Sequence, residues 1–289
     1  MEVVVIRSLA DMQRQTIAWK HAGLKVGLVP TMGCLHAGHI SLMRKAVQNA
    51  DRVVVSLFVN PIQFGPQEDF AAYPRQFQAD CDLCKKEGVH VIFCPEANEM
   101  YPEGFQTTVS IKFLSQGMCG ANRPGHFDGV ATVVSKLLHL TMPDIAIFGE
   151  KDFQQLAIIR QMVRDLNFPV TILGAPIVRE ADGLAMSSRN KYLQGEMRSQ
   201  ALCLSRSILE AQKTVALASQ DVAADAVVEA TKKIIADAGG VLDYAVVINE
   251  HTLQPETLVG SSSVLALAVK IGGVVRLLDN ARLAPAKIE

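Results

Sequence analysis

Between residues 25 and 173 short apolar runs alternate with helix-length amphipathic stretches, and this alternation restricts the fold more than any other feature of the chain. Residues 25–29, 53–59, 89–94, 144–148 and 170–173 read as strands, 53–59 as one buried on both faces. Between them, residues 40–50, 76–87, 129–140 and 153–166 carry a helical period. Apolar strands separated by helices form a parallel sheet, because each crossover lays a helix over one face. The expected fold is therefore α/β: a Rossmann-like parallel sheet with helices on both faces. Ligands of such sheets bind outside the carboxyl ends of the strands, near the switch in strand order. Segments that directly follow a strand are the first place to look for chemistry.

The pattern changes near residue 180. Residues 196–217 and 221–238 read as two helices, the second ended by Gly239-Gly240. Residues 242–248, 264–271 and 274–279 read as strands, the last two joined at Gly272-Gly273 by a hairpin turn. A Rossmann-like domain over residues 1–180 and a smaller α+β C-terminal lid domain over 181–289 are expected. A chain of 289 residues is long enough for either arrangement, one large domain or two, without covalent staples.

Charge narrows the partners. The net charge is −1 and no Lys/Arg tract occurs, which argues against an extended nucleic-acid surface. A local anion site needs only a few cations and oriented N–H groups, and stays open. Residues 1–16 are interrupted by Glu2, Arg7, Asp11 and Arg14, unlike a secretion signal. Residues 264–278 are broken by Lys270, Gly272-Gly273 and Arg276, so no membrane span is expected. A cytoplasmic protein follows as an expectation, with its six cysteines reduced. Cys81 and Cys84 form a CxxC without a second pair at zinc-site spacing; a redox pair is one reading, and two half-buried thiols on a helix is the favoured one.

The first chemical segment is Pro30-Thr31-Met32-Gly33-Cys34-Leu35-His36-Ala37-Gly38-His39, directly after the first strand. Its glycines permit tight turning and close approach of a ligand to the backbone. The helix that begins near Gly38 offers unpaired N–H groups and a positive dipole end. Two imidazoles three residues apart at that helix start suit a triphosphate undergoing substitution at its α-phosphorus, since both can donate to phosphate oxygens as charge develops. Two ordinary polar loop residues are the plainer reading of a His pair, but the strand before, the glycines and the helix after favour the functional one.

His-x-Gly-His resembles the signature of the HIGH-type nucleotidyltransferases, which include class I aminoacyl-tRNA synthetases. Their second motif has its counterpart in Ala185-Met186-Ser187-Ser188-Arg189-Asn190, with Arg189 in place of a lysine. No G-x-x-x-x-G-K-[ST] or G-x-G-x-x-G segment competes. Phe58-Val59-Asn60-Pro61-Ile62-Gln63-Phe64-Gly65, Arg123-Pro124-Gly125-His126-Phe127-Asp128-Gly129 and Gly149-Glu150-Lys151-Asp152-Phe153-Gln154-Gln155 tighten the match. With them the chain resembles the pantothenate synthetase family (pantoate–β-alanine ligases) over residues 1–280. Cys34 and Ala37 depart from the family pattern where variation changes no role.

The resemblance implies ATP-dependent condensation of pantoate with β-alanine through a pantoyl adenylate, releasing AMP and pyrophosphate. It also implies Mg²⁺, a homodimer and an active site between the two domains. It places the ATP phosphates on His36 and His39, with His39 as proton donor, and has Ser187, Ser188 and Arg189 close over them. It lines the nucleotide site with residues 30–39, Gly149, Glu150, Lys151, Asp152, Val178 and Met186. Gln63 and Gln155 hold pantoate, with Asn60 and Arg123 near and an apolar wall of Phe58, Val130, Val133 and Val134. The chemistry agrees: neutral amides satisfy hydroxyl and carboxylate oxygens, apolar side chains suit a gem-dimethyl group, and Lys151, Arg189 and Mg²⁺ offset gathered negative charge. His126 is open between a capping or packing role and a functional one. Asp80 and Asp82 are acidic candidates for the metal, on a helix face otherwise read as solvated. Three other readings compete: AMP transfer to a phosphorylated acceptor, a tRNA synthetase, and a non-catalytic nucleotide-binding regulator. The amide pocket, the missing basic surface and the complete set of expected catalytic positions weigh against them in turn.

Overall fold

The computed structural model describes residues 2–66, 68 and 70–283. The chain divides into two compact units, Met1–Glu150 with Gln154–Pro176, and Lys151–Phe153 with Ile177–Glu289.

In the first unit the strands are β1 (Val4–Ile6), which was not expected, and β2 (Val26–Thr31), β3 (Arg52–Leu57), β4 (Val91–Phe93), β5 (Ile145–Gly149) and β6 (Thr171–Ala175), which are the five apolar runs. They form one parallel sheet in the order β1-β4-β3-β2-β5-β6. The helices of this unit are α1 (Leu9–His21), α2 (Ala37–Asn49), α3 (Phe77–Lys86), α4 (Ala97–Met100), α5 (Met118–Asn122), α6 (His126–Thr141) and α7 (Phe153–Asp165), of which α2, α3, α6 and α7 are the four expected stretches. From β2 the chain winds outward through β3 to β4, then returns to the other side of β2 as β5. The switch in strand order thus lies between β2 and β5, which pair at Gly27 and Leu28 with Ile145 and Ala146. Val29, Met43, Ala46, Val53, Val55, Cys84, Ile92 and Ile147 form one core cluster of this unit. Removing such side chains from water is the main favourable term in folding.

β1, α1 and the short α4 and α5 lie outside the runs expected from the sequence. β1 has three residues at the sheet edge, with Val4 and Val5 exposed, so it shows no period. α1 begins on Ser8, whose Oγ accepts the Asp11 N–H at 3.3 Å. α1 buries only Met12 and Thr16 fully, so its apolar stripe is weak.

The second unit holds α8 (Glu196–Ala201), α9 (Cys203–Leu217), α10 (Ala224–Asp237), β7 (Val241–Asn249), β8 (Ser263–Ile271) and β9 (Val275–Arg282). The strands form an antiparallel sheet in the order β7-β8-β9. Residues 196–217 are not one helix as expected. The Leu202 N–H reaches back three residues to Ser199 O, a tightened turn that separates α8 from α9. Good helix formers on both sides hide that break. The hairpin at Gly272-Gly273 is present, with φ of +57° and +75°, left-handed backbone that glycine adopts freely. Among the described residues no helix is long and apolar enough to cross a membrane.

Candidate nucleotide and carboxylate site

In the first unit the carboxyl end of β2 leads into residues 32–39 and that of β5 into Gly149 and Glu150. Leaving β2, Thr31 Oγ1 donates to Ser56 O at 2.7 Å and accepts the Gly33 N–H at 3.1 Å. The side chains of Cys34 and Leu35 turn inward and are buried. His36 is the N-cap of α2. Its Nδ1 accepts the Gly38 N–H at 3.1 Å, while the His36 N–H points to His39 Nδ1 at 3.3 Å. The rings lie 4.1 Å apart between centroids. Because each Nδ1 faces a backbone N–H, the neutral rings carry their protons on Nε2. The helix start therefore carries two imidazoles of fixed tautomer, each with its proton on Nε2, at the positive end of the α2 dipole.

The loop between β2 and α2 is tied down by a residue far away in sequence. Asp80, on α3, does not lie on the solvated face that its sequence neighbourhood predicts; it is 3% exposed. Its two oxygens accept the Cys34 N–H at 2.9 Å and the Leu35 N–H at 2.8 Å. Gly33 has φ +81°, and a Cβ there would stand 3.0 Å from Asp80 Oδ2. The glycine is required both by its left-handed backbone and by the carboxylate beside it. Asp82 is exposed, as a solvated face predicts.

After β3, Pro61–Gln63 forms a short 3₁₀ turn. Asn60 is 1% exposed, and its amide is engaged on both sides within the protein: Nδ2 donates to Gln63 Oε1 and to Gly129 O, both at 3.0 Å, and Oδ1 accepts from Tyr101 Oη at 2.8 Å. Gln63 Nε2 meets Met32 Sδ at 3.1 Å. A Cβ on Gly129 would approach Ile62 O to 2.5 Å, so only glycine lets α6 close on this turn. Phe58, Val130, Val133 and Val134 are all buried, at the end of β3 and on α6.

Arg123 forms a double hydrogen bond to Glu68, both contacts at 2.6 Å, and its Nη1 lies 2.9 Å from His126 Nε2. His126 Nδ1 lies 2.8 Å from Gln63 O. Arg123 and His126 thus brace the backbone of Gln63. Burial pushes the Glu68 carboxyl up, but the hydrogen bonds and charge of Arg123, the Gly65 N–H and His126 outweigh it and hold the group below the usual carboxylate range.

At the end of β5, the Glu150 N–H donates to Ala175 O at 2.9 Å. Gln155 on α7 is half-buried, and among the described residues its amide makes no side-chain hydrogen bond. Its neighbour Gln154, assigned no role in the sequence reading, is buried. Its Nε2 donates to Leu114 O at 2.9 Å and its Oε1 accepts the Cys119 N–H at 3.1 Å, which fixes the loop before α5.

In the second unit, Lys151 O accepts from Asn280 Nδ2 at 2.9 Å, and Asp152 is exposed. The Met186 N–H donates to Val178 O at 2.9 Å across a tight reversal at Gly183, φ +91°. Arg179 braces that reversal through Gly183 O and a paired contact with the buried Asp279, at 2.7 and 2.9 Å. Ser187 then caps a 3₁₀ turn over Ser188–Tyr192, its Oγ accepting the Arg189 N–H at 3.2 Å. Asn190 fastens the turn to Glu180 Oε1 and Ala185 O.

The six cysteines are free thiols. Cys81 and Cys84 are buried rather than half-buried, because they lie on the core face of α3. Burial, with Asp80 and Cys81 nearby, pushes the Cys84 thiol up to about 12, so it carries no thiolate at neutral pH. Among the described residues no three His, Cys, Asp or Glu side chains gather as a metal cage.

A parallel sheet with a His-x-Gly-His helix start at its switch point, followed in the chain by the Met186–Arg189 turn, is the arrangement of an HIGH-type nucleotidyltransferase. The family described as pantoate-beta-alanine ligase matches residues 4–282. A pantothenate synthetase of Desulfotalea psychrophila is 52% identical over 281 residues, 96% of this chain and 98% of that one. The crystal structure of pantothenate synthetase from Thermus thermophilus superposes with a TM-score of 0.90 at 40% identity, covering 98% of this chain and all of that one (100%). The pantoate-beta-alanine ligase of Francisella tularensis, solved with beta-gamma ATP and beta-alanine, gives 0.81 at 34% identity over 97% of this chain and 98% of its own. The chain belongs to the pantoate–β-alanine ligase family.

Proposed function

We infer that this chain condenses pantoate with β-alanine at the expense of ATP. A pantoate carboxylate oxygen attacks the α-phosphorus, the bond to the β-phosphate oxygen breaks, and pyrophosphate leaves. The uncharged amine of β-alanine then attacks the acyl carbon of the bound adenylate. An amide forms, the amine loses a proton, and AMP leaves with the transferred oxygen. The observation that carries this reading is the pair of imidazoles whose Nδ1 atoms are occupied by backbone N–H groups. Their Nε2–H groups donate to phosphate oxygens without reorientation, which is where preorganised donors lower a barrier. His39 supplies the proton donor, and Lys151, Ser187, Ser188 and Arg189 offset the charge on the departing pyrophosphate.

Gln63 and Gln155 hold pantoate, with Phe58, Val130, Val133 and Val134 toward its methyl groups. Asn60 and Arg123 act through Gln63. Residues 30–35, 37 and 38 with Gly149, Glu150, Asp152, Val178 and Met186 take the remaining nucleotide contacts. Mg²⁺ supplies charge neutralisation on the ATP phosphates, its usual setting, and needs no protein cage there. The reading also carries a homodimer in the cytoplasm, and six free thiols agree with a reducing compartment. Neutral amides at positions 63 and 155 favour this acceptor over a phosphorylated one.

Isotope labelling tests the route. Pantoate labelled with ¹⁸O in its carboxylate is expected to pass one labelled oxygen to AMP. Without β-alanine, pyrophosphate is expected in a burst of about one equivalent per site, because the adenylate is kept from water. Label in inorganic phosphate with ADP as coproduct would eliminate the adenylate. Arg189 has a separate signature. Arg189→Ala is expected to slow adenylation by roughly 10²-fold, the cost of losing one charge-stabilising donor, and to leave amine attack on preformed adenylate nearly unchanged. Equal losses in both half-reactions would remove Arg189 from the phosphate contacts.

A further inference from the structure

We propose that Tyr101 is a positioning residue of the acid pocket: through Asn60 it locks the Gln63 amide with its NH₂ group toward the ligand, so that this position reads an acceptor oxygen and rejects a donor. The inference rests on Gln63 being a pantoate contact and specifies its polarity.

Amide orientation follows from partners that have only one role. Gly129 O is a backbone carbonyl and can only accept, so the Asn60 atom 3.0 Å from it is Nδ2. Asn60 Oδ1 then faces Tyr101 Oη at 2.8 Å, and the phenol must donate. Burial pushes the Tyr101 hydroxyl up, which keeps that proton in place throughout the neutral range. The second hydrogen of Asn60 Nδ2 reaches the Gln63 amide at 3.0 Å, and only its oxygen can receive it. Gln63 is left with Nε2 outward, against the thioether of Met32 at 3.1 Å. A thioether is a weak acceptor, so a carboxylate or hydroxyl oxygen that takes its place makes a better bond. Asn60 and Gln63 are nearly buried, at 1% and 9% exposure, so reversing either amide would set like groups against each other away from water. The Tyr101 ring is fixed independently of its hydroxyl, against Phe58 at 6.2 Å and Phe105 at 5.1 Å between centroids. Tyr101→Phe therefore removes the proton while the aromatic packing remains.

The test is a double-mutant cycle on the Michaelis constant for pantoate at saturating ATP. Tyr101→Phe is expected to raise it about 3- to 10-fold, with the ATP constant unchanged. In the Gln63→Ala background the same change is expected to have no further effect, because its only route to pantoate has been removed. Additive effects, or a normal constant for Tyr101→Phe, would overturn the role of Tyr101. Gln63→Glu tests the polarity separately. It keeps the bond from Asn60 but turns an acceptor toward pantoate, and is expected to bind pantoate worse than Gln63→Ala. Binding better than Gln63→Ala would mean that the side chain presents oxygen to a substrate donor, and would overturn the assigned polarity. Gln63→Ala with an unaltered pantoate constant would instead remove Gln63 from the pocket and refute the underlying reading.

Discussion

Replacing His39 by alanine is expected to slow pyrophosphate formation by roughly a hundredfold or more while the protein still folds. The effect on rate comes from the Nε2–H group, which the ring orientation aims as a donor that needs no rearrangement during the reaction. The effect on folding comes from Nδ1, which receives the His36 N–H at 3.3 Å and completes a reciprocal cap on α2. Loss of such a cap costs about 1 kcal/mol, which a chain of this size tolerates. His39→Asn separates the two. Its side-chain oxygen can still receive the His36 N–H, but the imidazole donor is gone. Stability should recover in that variant and activity should not. A folded His39→Ala protein with near-normal turnover would exclude His39 from adenylation.

Asp80→Ala is expected to damage both stability and adenylation, although Asp80 lies on a different helix from the imidazoles. Its carboxylate receives the N–H groups of Cys34 and Leu35, which have few alternatives once buried. Leaving two buried donors unpaired costs roughly 3 kcal/mol. In a domain of this size that corresponds to a melting point lower by about 6–12 °C. The loop would then no longer hold His36 and His39 in one arrangement, and the adenylation rate should fall with it. Thermal denaturation and pre-steady-state pyrophosphate release measure the two effects. If Asp80 instead bound Mg²⁺, excess Mg²⁺ would restore the activity of the alanine variant and its melting point would match the parent. That result would contradict the anchoring role.

What the sequence disclosed followed from locality. β2, β3 and β5 were legible because central strands of a parallel sheet are apolar on both faces. The α2 start was legible because glycine, histidine and helix periodicity fall within ten residues. Asp80 was misread because a buried carboxylate on an amphipathic helix looks solvated until its partners are known, and they lie 45 and 46 positions away. Tyr101 left no signal either: it reaches Asn60 across 41 residues. Gln154 and Gln155 are adjacent and identical in type, and only the helix phase sends one to the loop carbonyls and leaves the other without a side-chain hydrogen bond among the described residues. The division at Leu202 depends on a single tightened turn, which no residue preference announces.

The segment Lys151–Phe153 belongs with the later unit although the chain on either side of it belongs with the earlier one. Neither unit is therefore one uninterrupted stretch of polypeptide. A fragment ending at Pro176 would contain the whole parallel sheet and both imidazoles. It would also strand Lys151 without Asn280, whose amide holds the Lys151 carbonyl at 2.9 Å. Gene dissection, domain exchange with a relative, or splitting the enzyme into two co-expressed halves would each meet the same obstacle. The obstacle is three residues that are encoded in one half and secured by the other.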